Sequence, residues 1–153
     1  GDKLRRLVEP LLDHAAGQKR RKPFFVKIAP DLEERDLEGA VSLAAELGFG
    51  LIATNTTVSR RAVPARWGSY EGGLSGRPLR ELSNAMLART AELAAGRVPI
   101  MGSGGVMDGE TALEKLKLGA DLVQVYSGLI YGGPFLVKEI VDYLAASGWR
   151  PRR

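Results

Sequence analysis

The sequence predicts an α/β protein in which parallel strands lie beneath helices, and three observations carry that reading. Segments with helical apolar spacing alternate with short apolar runs of strand length. Gly48, Gly96, Gly119 and Gly148 each stand just past the last apolar-periodic residue of a helix, where a left-handed residue ends the helix. After the first three of these a new run begins within a few residues, too apolar for a sheet with one wet face. The order is one helix followed by four βα units with short αβ links.

Each element has its own signal. Leu4, Leu7, Val8, Leu11 and Leu12 recur as on one face of a helix. "PFFVKIAP" (23–30) reads as a buried strand closed by prolines, with Phe24, Val26 and Ile28 on one face and Lys27 on the other. "DLEERDLEGAVSLAAELG" is helical, with Asp31 and Glu34 resembling a capping box and Leu37, Ala40, Val41 and Ala44 along one face. "GLIATN" (50–55) is the next strand, and a long loop from 58 to about 78 follows it. "LRELSNAMLARTAELAAG" and "GETALEKLKLG" read as helices, "VPIMG" and "ADLVQVYSG" as strands, and "GPFLVKEIVDYLAASG" as the last helix.

Polar and glycine-rich residues gather at the C-terminal end of every strand: Lys27 and Pro30, Asn55–Thr57, Gly102–Gly105, Tyr126–Gly128. Sites of eight-stranded (β/α)8 barrels are built on that rim, with phosphate held by the last two βα loops. Four βα units fit either a small doubly wound sheet or half of such a barrel, and the rim favours the C-terminal half of a (β/α)8 TIM barrel, with residues 1–153 as one partial domain and 150–153 as a basic tail. Two open sheet edges in such a half predict self-association. The chain opens without an initiator Met and already reads as helix, as a fragment, a processed chain or a truncated reading frame would.

Composition excludes several functions. Without cysteine there is no disulfide framework, thiol nucleophile or Cys-ligated metal. No apolar run approaches the roughly 20 residues of a membrane-spanning helix. Seven of the 22 basic residues sit in "KRRK" (19–22) and the "RPRR" tail, which leaves fifteen against 18 acidic residues elsewhere. With no interleaved aromatics, that distribution speaks for solvated basic loops, with a weak phosphate or anionic-membrane contact as the alternative, and against nucleic acid.

The chemistry lies at the strand ends. Gly102, Gly104 and Gly105 form either a tight βα turn or a backbone anion cradle ahead of a helix starting near Asp108 or Gly109. "VYSGLIYGG" repeats the pattern on the next strand, and two consecutive loops of this kind favour a phosphate site. Lys27 either meets an anionic or electron-rich group or snorkels to the rim. Asn55 can read a planar heterocycle or a carboxylate, or close an Asx-turn. "YEGGLSGRPLREL" brings three further glycines into the long loop. His14, the only histidine, reads as an ordinary helix residue, and no His/Asp/Glu cluster has metal spacing.

Taken in order, "VKIAPDL", "TNTTVSR", "EGGLSGRPLRELS", "MGSGGVMDGETALEKLKLGADLVQVYSG" and "GP" resemble class 2, quinone-linked dihydroorotate dehydrogenase from Pro23 to about Gly148. The resemblance implies a (β/α)8 barrel holding FMN that oxidises dihydroorotate to orotate in de novo pyrimidine synthesis. It implies flavin contacts by Lys27, Thr54, Gly76, Gly105, Tyr126 and Ser127, the last three at the phosphate, and substrate contacts by Asn55 and Thr56. Ser127 stands where Thr is frequent, and Ser103 where an aliphatic residue is common. The family's serine base and its membrane-entry segment, the route of quinone and of peripheral membrane association, belong to an N-terminal half without counterpart here. No catalytic residue is assigned, and the chain alone is expected to be inactive. The implied location is the cytoplasmic side of a bacterial membrane, or the mitochondrial inner membrane in a eukaryote. Another FMN barrel of the dihydropyrimidine dehydrogenase type and a non-catalytic phosphate-binding half-barrel remain alternatives.

Overall fold

The computed structural model describes residues 2–19 and 22–150. Most of the basic tail, and Arg20 and Arg21 of the basic loop, lie outside the described residues. The elements are α1 (Asp2–Ala16), β1 (Phe25–Ile28), α2 (Glu34–Leu47), β2 (Gly50–Ala53), α3 (Arg80–Ala94), β3 (Ile100–Ser103), α4 (Gly109–Lys117), β4 (Leu122–Gln124), α5 (Ser127–Gly132) and α6 (Leu136–Ala146). Two 3-10 turns, Ala65–Trp67 and Arg77–Leu79, punctuate the long loop before α3. The strands form one parallel sheet in the order β1-β2-β3-β4. Each strand is joined to its parallel neighbour through at least one intervening helix, so sequential strands are adjacent.

The register sorts the sheet into two faces. Ile28, Ala53, Gly102 and Val123 align across the strands on the helix side. Phe49, Leu51, Leu37, Val41, Leu87 and Ile100 pack there as a buried core. Lys27, Ile52, Met101 and Leu122 align on the opposite face. Ile52 and Met101 are half-buried there, whereas Lys27 and Leu122 are exposed. A second cluster of Val106, Ala112, Leu136 and Ile140 joins α4 to α6.

All four helix-ending glycines adopt positive φ, between 72° and 113°. Three expectations are corrected. Asp31 does not cap α2, whose N-cap is Glu33 without a side-chain bond. Asp31 instead accepts from Thr57 Oγ1 at 2.5 Å and the Val58 N–H at 3.2 Å, because its carboxylate meets two donors from the next βα loop. On α1 only Val8 is fully buried, with Leu4 and Leu12 beside the core; Leu7 and Leu11 face outward, since one packed neighbour covers less than the full apolar stripe. The segment after β4, read as a glycine loop, contains the short helix α5.

Candidate active site at the strand ends

The C-terminal ends of all four strands converge on one cavity of about 310 Å³. Lys27, Thr54, Asn55, Thr56, Gly76, Gly105, Tyr126 and Ser127 all line it, so the structure brings together every site residue named from the sequence. Gly76 is placed by the long loop, and the others by the strand that they belong to or follow. Lys27 projects from the exposed face of β1 and donates to Gln124 Oε1 at 3.0 Å, which bridges the first strand to the last. Lys27 is thus exposed at the rim, with the Gln124 amide oxygen as its partner.

Thr54 is 1% exposed, and its hydroxyl donates to the Asn55 carbonyl at 2.9 Å. Asn55 Oδ1 accepts the Thr56 N–H at 2.9 Å, and its side-chain NH2 has no hydrogen-bond acceptor among the described residues. The local turn thus uses the amide oxygen and leaves two donors for a ligand. The exposed Thr56 is hemmed in by the returning loop at Gly73, where a Cβ would lie 1.9 Å from Thr56 Oγ1. Only glycine permits that approach.

Ser75 and Ser127 hydroxyl oxygens lie 2.9 Å apart and join the long loop to the start of α5. Gly76, buried at φ 73°, sits beside Ser127. Among the described residues Lys27 is the only charged one lining the cavity, and none of them contributes a carboxylate. That balance favours an anionic ligand.

The helix after β3 differs from expectation. Asp108 caps α4, accepting the Thr111 N–H at 2.9 Å, while Thr111 Oγ1 accepts from Asp108 N–H at 3.1 Å and Met107 N–H at 2.9 Å. A helix N-terminus closed by its own carboxylate has little left for an external anion. Burial pushes the Asp108 carboxyl up, but bonds from Thr111 and the fields of Arg80 and Arg77 outweigh it and hold it below its ordinary value. The glycine turn itself lines the cavity instead, with Gly104 and Gly105 at φ of 98° and 75°.

The long loop is a closed excursion. Thr57 and Leu74 pair across its neck, with N–H···O distances of 2.8 and 3.1 Å. Arg60 donates to the carbonyls of Thr57, Val58, Tyr70 and Gly72, at 3.3, 3.2, 2.9 and 2.5 Å. Hydrogen bonds to a charged donor contribute about 1.5–3 kcal/mol. Arg60→Ala is therefore expected to raise tryptic cleavage within 58–73 by about tenfold or more while the core melt is preserved. Unchanged cleavage kinetics would show that the neck holds without the arginine.

Sequence reasoning missed Gln124, Ser75, Ser83 and Lys115. Gln124 is the polar residue inside the otherwise apolar "LVQV", a signal available in hindsight. Lys115 follows Thr111 by four residues and Ala112 by three, on the buried side of α4, where it is 0% exposed.

Comparison with known proteins gives the same picture. Residues 4–147 match the family model described as dihydroorotate dehydrogenase. A dihydroorotate dehydrogenase (quinone) of Chelativorans sp. strain BNC1 is 48% identical over 144 residues, which cover 94% of this chain and 40% of the relative. One from Neisseria meningitidis serogroup C is 44% identical over 153 residues, covering 96% and 45%. The crystal structure of a ligand-free dihydroorotate dehydrogenase from Eimeria tenella superposes with a TM-score of 0.86 at 31% identity, covering 98% of this chain and 47% of that one. The chain thus spans between two fifths and one half of the length of these relatives. With four βα units in barrel order and a family match over nearly its whole length, this chain belongs to the dihydroorotate dehydrogenase family, as a part of its (β/α)8 barrel.

Proposed function

We propose that these residues supply the phosphate-holding and part of the pyrimidine-holding wall of an FMN-dependent enzyme that oxidises dihydroorotate to orotate, with a quinone as electron acceptor, in de novo pyrimidine synthesis. The observation that carries this is the meeting of all eight named residues in one carboxylate-free cavity at the strand ends. The residues fit the cofactor by their donors. Gly105, Tyr126 and Ser127 would hold the phosphate, with Ser75 and Gly76 beside them, and Lys27 and Thr54 would meet the ring system. FMN, when bound, supplies the hydride acceptor.

The chain's own contribution is binding and orientation. Asn55 offers its free NH2, and Thr56 a hydroxyl, to the polar edge of a planar substrate. Gln124 holds the Lys27 ammonium in place across the cavity mouth, where its positive charge favours electron density on the adjoining ring. The chain spans two fifths to one half of its relatives' length, and we accordingly assign it no general base, and the 153 residues alone no turnover. Association with a membrane surface follows from quinone use; no helix among the described residues is long and apolar enough to cross one. The exposed edges and apolar faces further support self-association.

The test is flavin selectivity. The purified chain is expected to quench FMN fluorescence with at least about tenfold tighter binding than riboflavin, the worth of one or two charge-assisted hydrogen bonds. Equal affinity for the two flavins would remove the phosphate assignment. Dihydroorotate-dependent quinone reduction by the chain alone would overturn the division of labour. In a complete barrel containing these residues, bleaching of the flavin by another dihydropyrimidine but not by dihydroorotate would overturn the substrate.

A further inference from the structure

A fully buried lysine stands behind the glycine turn, outside the cavity lining. Lys115 Nζ donates to Ser83 Oγ at 2.6 Å, its one hydrogen-bond partner among the described residues. Ser83, itself 0% exposed, lies within bonding distance of two carbonyls, Gly104 at 2.8 Å and Arg80 at 2.9 Å. A hydroxyl has a single proton to donate. The lysine occupies one of its lone pairs, polarises the O–H and strengthens the bond it gives, the shorter of the two being that to the Gly104 carbonyl.

The direction of the Gly104 carbonyl has a consequence one atom further on. Gly104 C=O and Gly105 N–H belong to the same peptide unit, which is trans, so they point in opposite directions. Pinning the carbonyl back onto Ser83 aims the Gly105 N–H the other way, at the cavity that Gly105 lines. The chain of bonds thus runs from a buried cation, through a hydroxyl and a peptide, to an anion-seeking donor.

We propose that Lys115 and Ser83 are positioning residues for the anion turn, and that binding of a phosphate monoester at Gly105 is coupled to proton uptake at Lys115. This rests on the assignment of the flavin phosphate to that turn. Burial depresses the lysine to about 8 from 10.5, with Glu114 opposing and Arg80 adding to the fall. Glu114 and Arg80 pair with each other at 2.7 Å. β3 and β4 carry no charged residue, and the charges of α6, Lys138, Glu139 and Asp142, are exposed. In the empty site the ammonium therefore loses its proton as pH rises through about 8. A bound dianion favours the charged form and draws the proton back. Affinity for the phosphate must then weaken with rising pH above that point.

The experiment measures FMN and riboflavin binding to the whole chain by fluorescence quenching across pH, for wild type, Lys115→Met and Ser83→Ala. A phosphate monoester is already a dianion through this range, because its second pKa is about 6. Wild-type affinity for FMN is expected to fall by about tenfold between about pH 7 and about pH 9, with riboflavin unchanged. Both variants are expected to lose about tenfold in FMN affinity near pH 7, to keep riboflavin binding, and to show no pH slope. A purely structural role would not flatten that slope. If wild type prefers FMN and Ser83→Ala keeps both the preference and the slope, the coupling is wrong and the phosphate site stands, whether or not Lys115→Met folds. If wild type shows no preference for FMN over riboflavin, the phosphate site itself is wrong and the coupling falls with it.

Discussion

Gly105→Ala is expected to destabilise the chain by about 3 kcal/mol and to erase its preference for a phosphate-bearing flavin. Two costs combine. Gly105 has φ of 75°, where an L side chain is disfavoured by roughly 1–2 kcal/mol. A Cβ there would also lie 2.5 Å from Arg80 Cα and 2.9 Å from Arg80 N, backbone atoms at the first residue of α3 that no rotamer change can clear. Relief requires the turn to move away from α3, and overpacking of that kind costs about 1–3 kcal/mol. For a chain of this length the sum is a fall in melting temperature on the order of 10 °C.

Gly72→Ala separates the two costs. Gly72 has φ of 96°, but a Cβ there would meet nothing within 4 Å. It should therefore lose only the conformational part, about 1 kcal/mol. With the Gly105 N–H as the proposed phosphate donor, displacement of the turn is expected to bring FMN affinity down to that of riboflavin in Gly105→Ala alone. Paired thermal melts and flavin titrations check this. Equal losses in the two variants would mean that α3 does not constrain the turn.

The legible parts of this molecule are those whose causes are local. Helix ends were marked by Gly48, Gly96, Gly119 and Gly148, because a left-handed residue is a single-position requirement. Buried helix faces such as Leu37, Ala40, Val41 and Ala44 follow from spacing alone. The cavity was legible because strand ends in a parallel sheet share one rim, so residues far apart in sequence were grouped without contact information. Pairings across the fold were not legible. Asp31 suited the capping of its own helix, yet donors 26 and 27 residues away claimed its carboxylate. The partner of Lys27 is 97 residues along the chain. Lys115 was hidden by a different rule, since a lysine on a helix is ordinarily a solvated one. Only the tertiary position of Ser83 makes its burial intelligible.

Charge placed on the open side of the sheet is expected to change the mass of the particle in solution. β1 and β4 are the edges of the sheet, and an unpaired edge offers a row of backbone donors and acceptors to another strand. The apolar surface beside β4 points the same way. Leu122 is 52% exposed, Ile130 69%, Val137 50% and Val141 58%. On α6, the exposed Val137 and Val141 stand four residues apart, beside the stripe that buries Leu136 and Ile140 with Leu144 against them. A helix apolar on two sides is built to be covered on both. Light scattering on the 16.5 kDa chain at micromolar concentration is accordingly expected to give the mass of two or more copies. Leu122→Lys combined with Val141→Glu puts charge on the edge strand and on the exposed side of α6, the device by which natural edges resist pairing. Both positions are more than half exposed, so the double variant should keep its melting temperature within the roughly 0.5 kcal/mol typical of surface changes. It should also run as a single chain. A wild-type chain that is monodisperse at 16.5 kDa, or a double variant that associates as strongly as wild type, would show that this side of the sheet needs no partner.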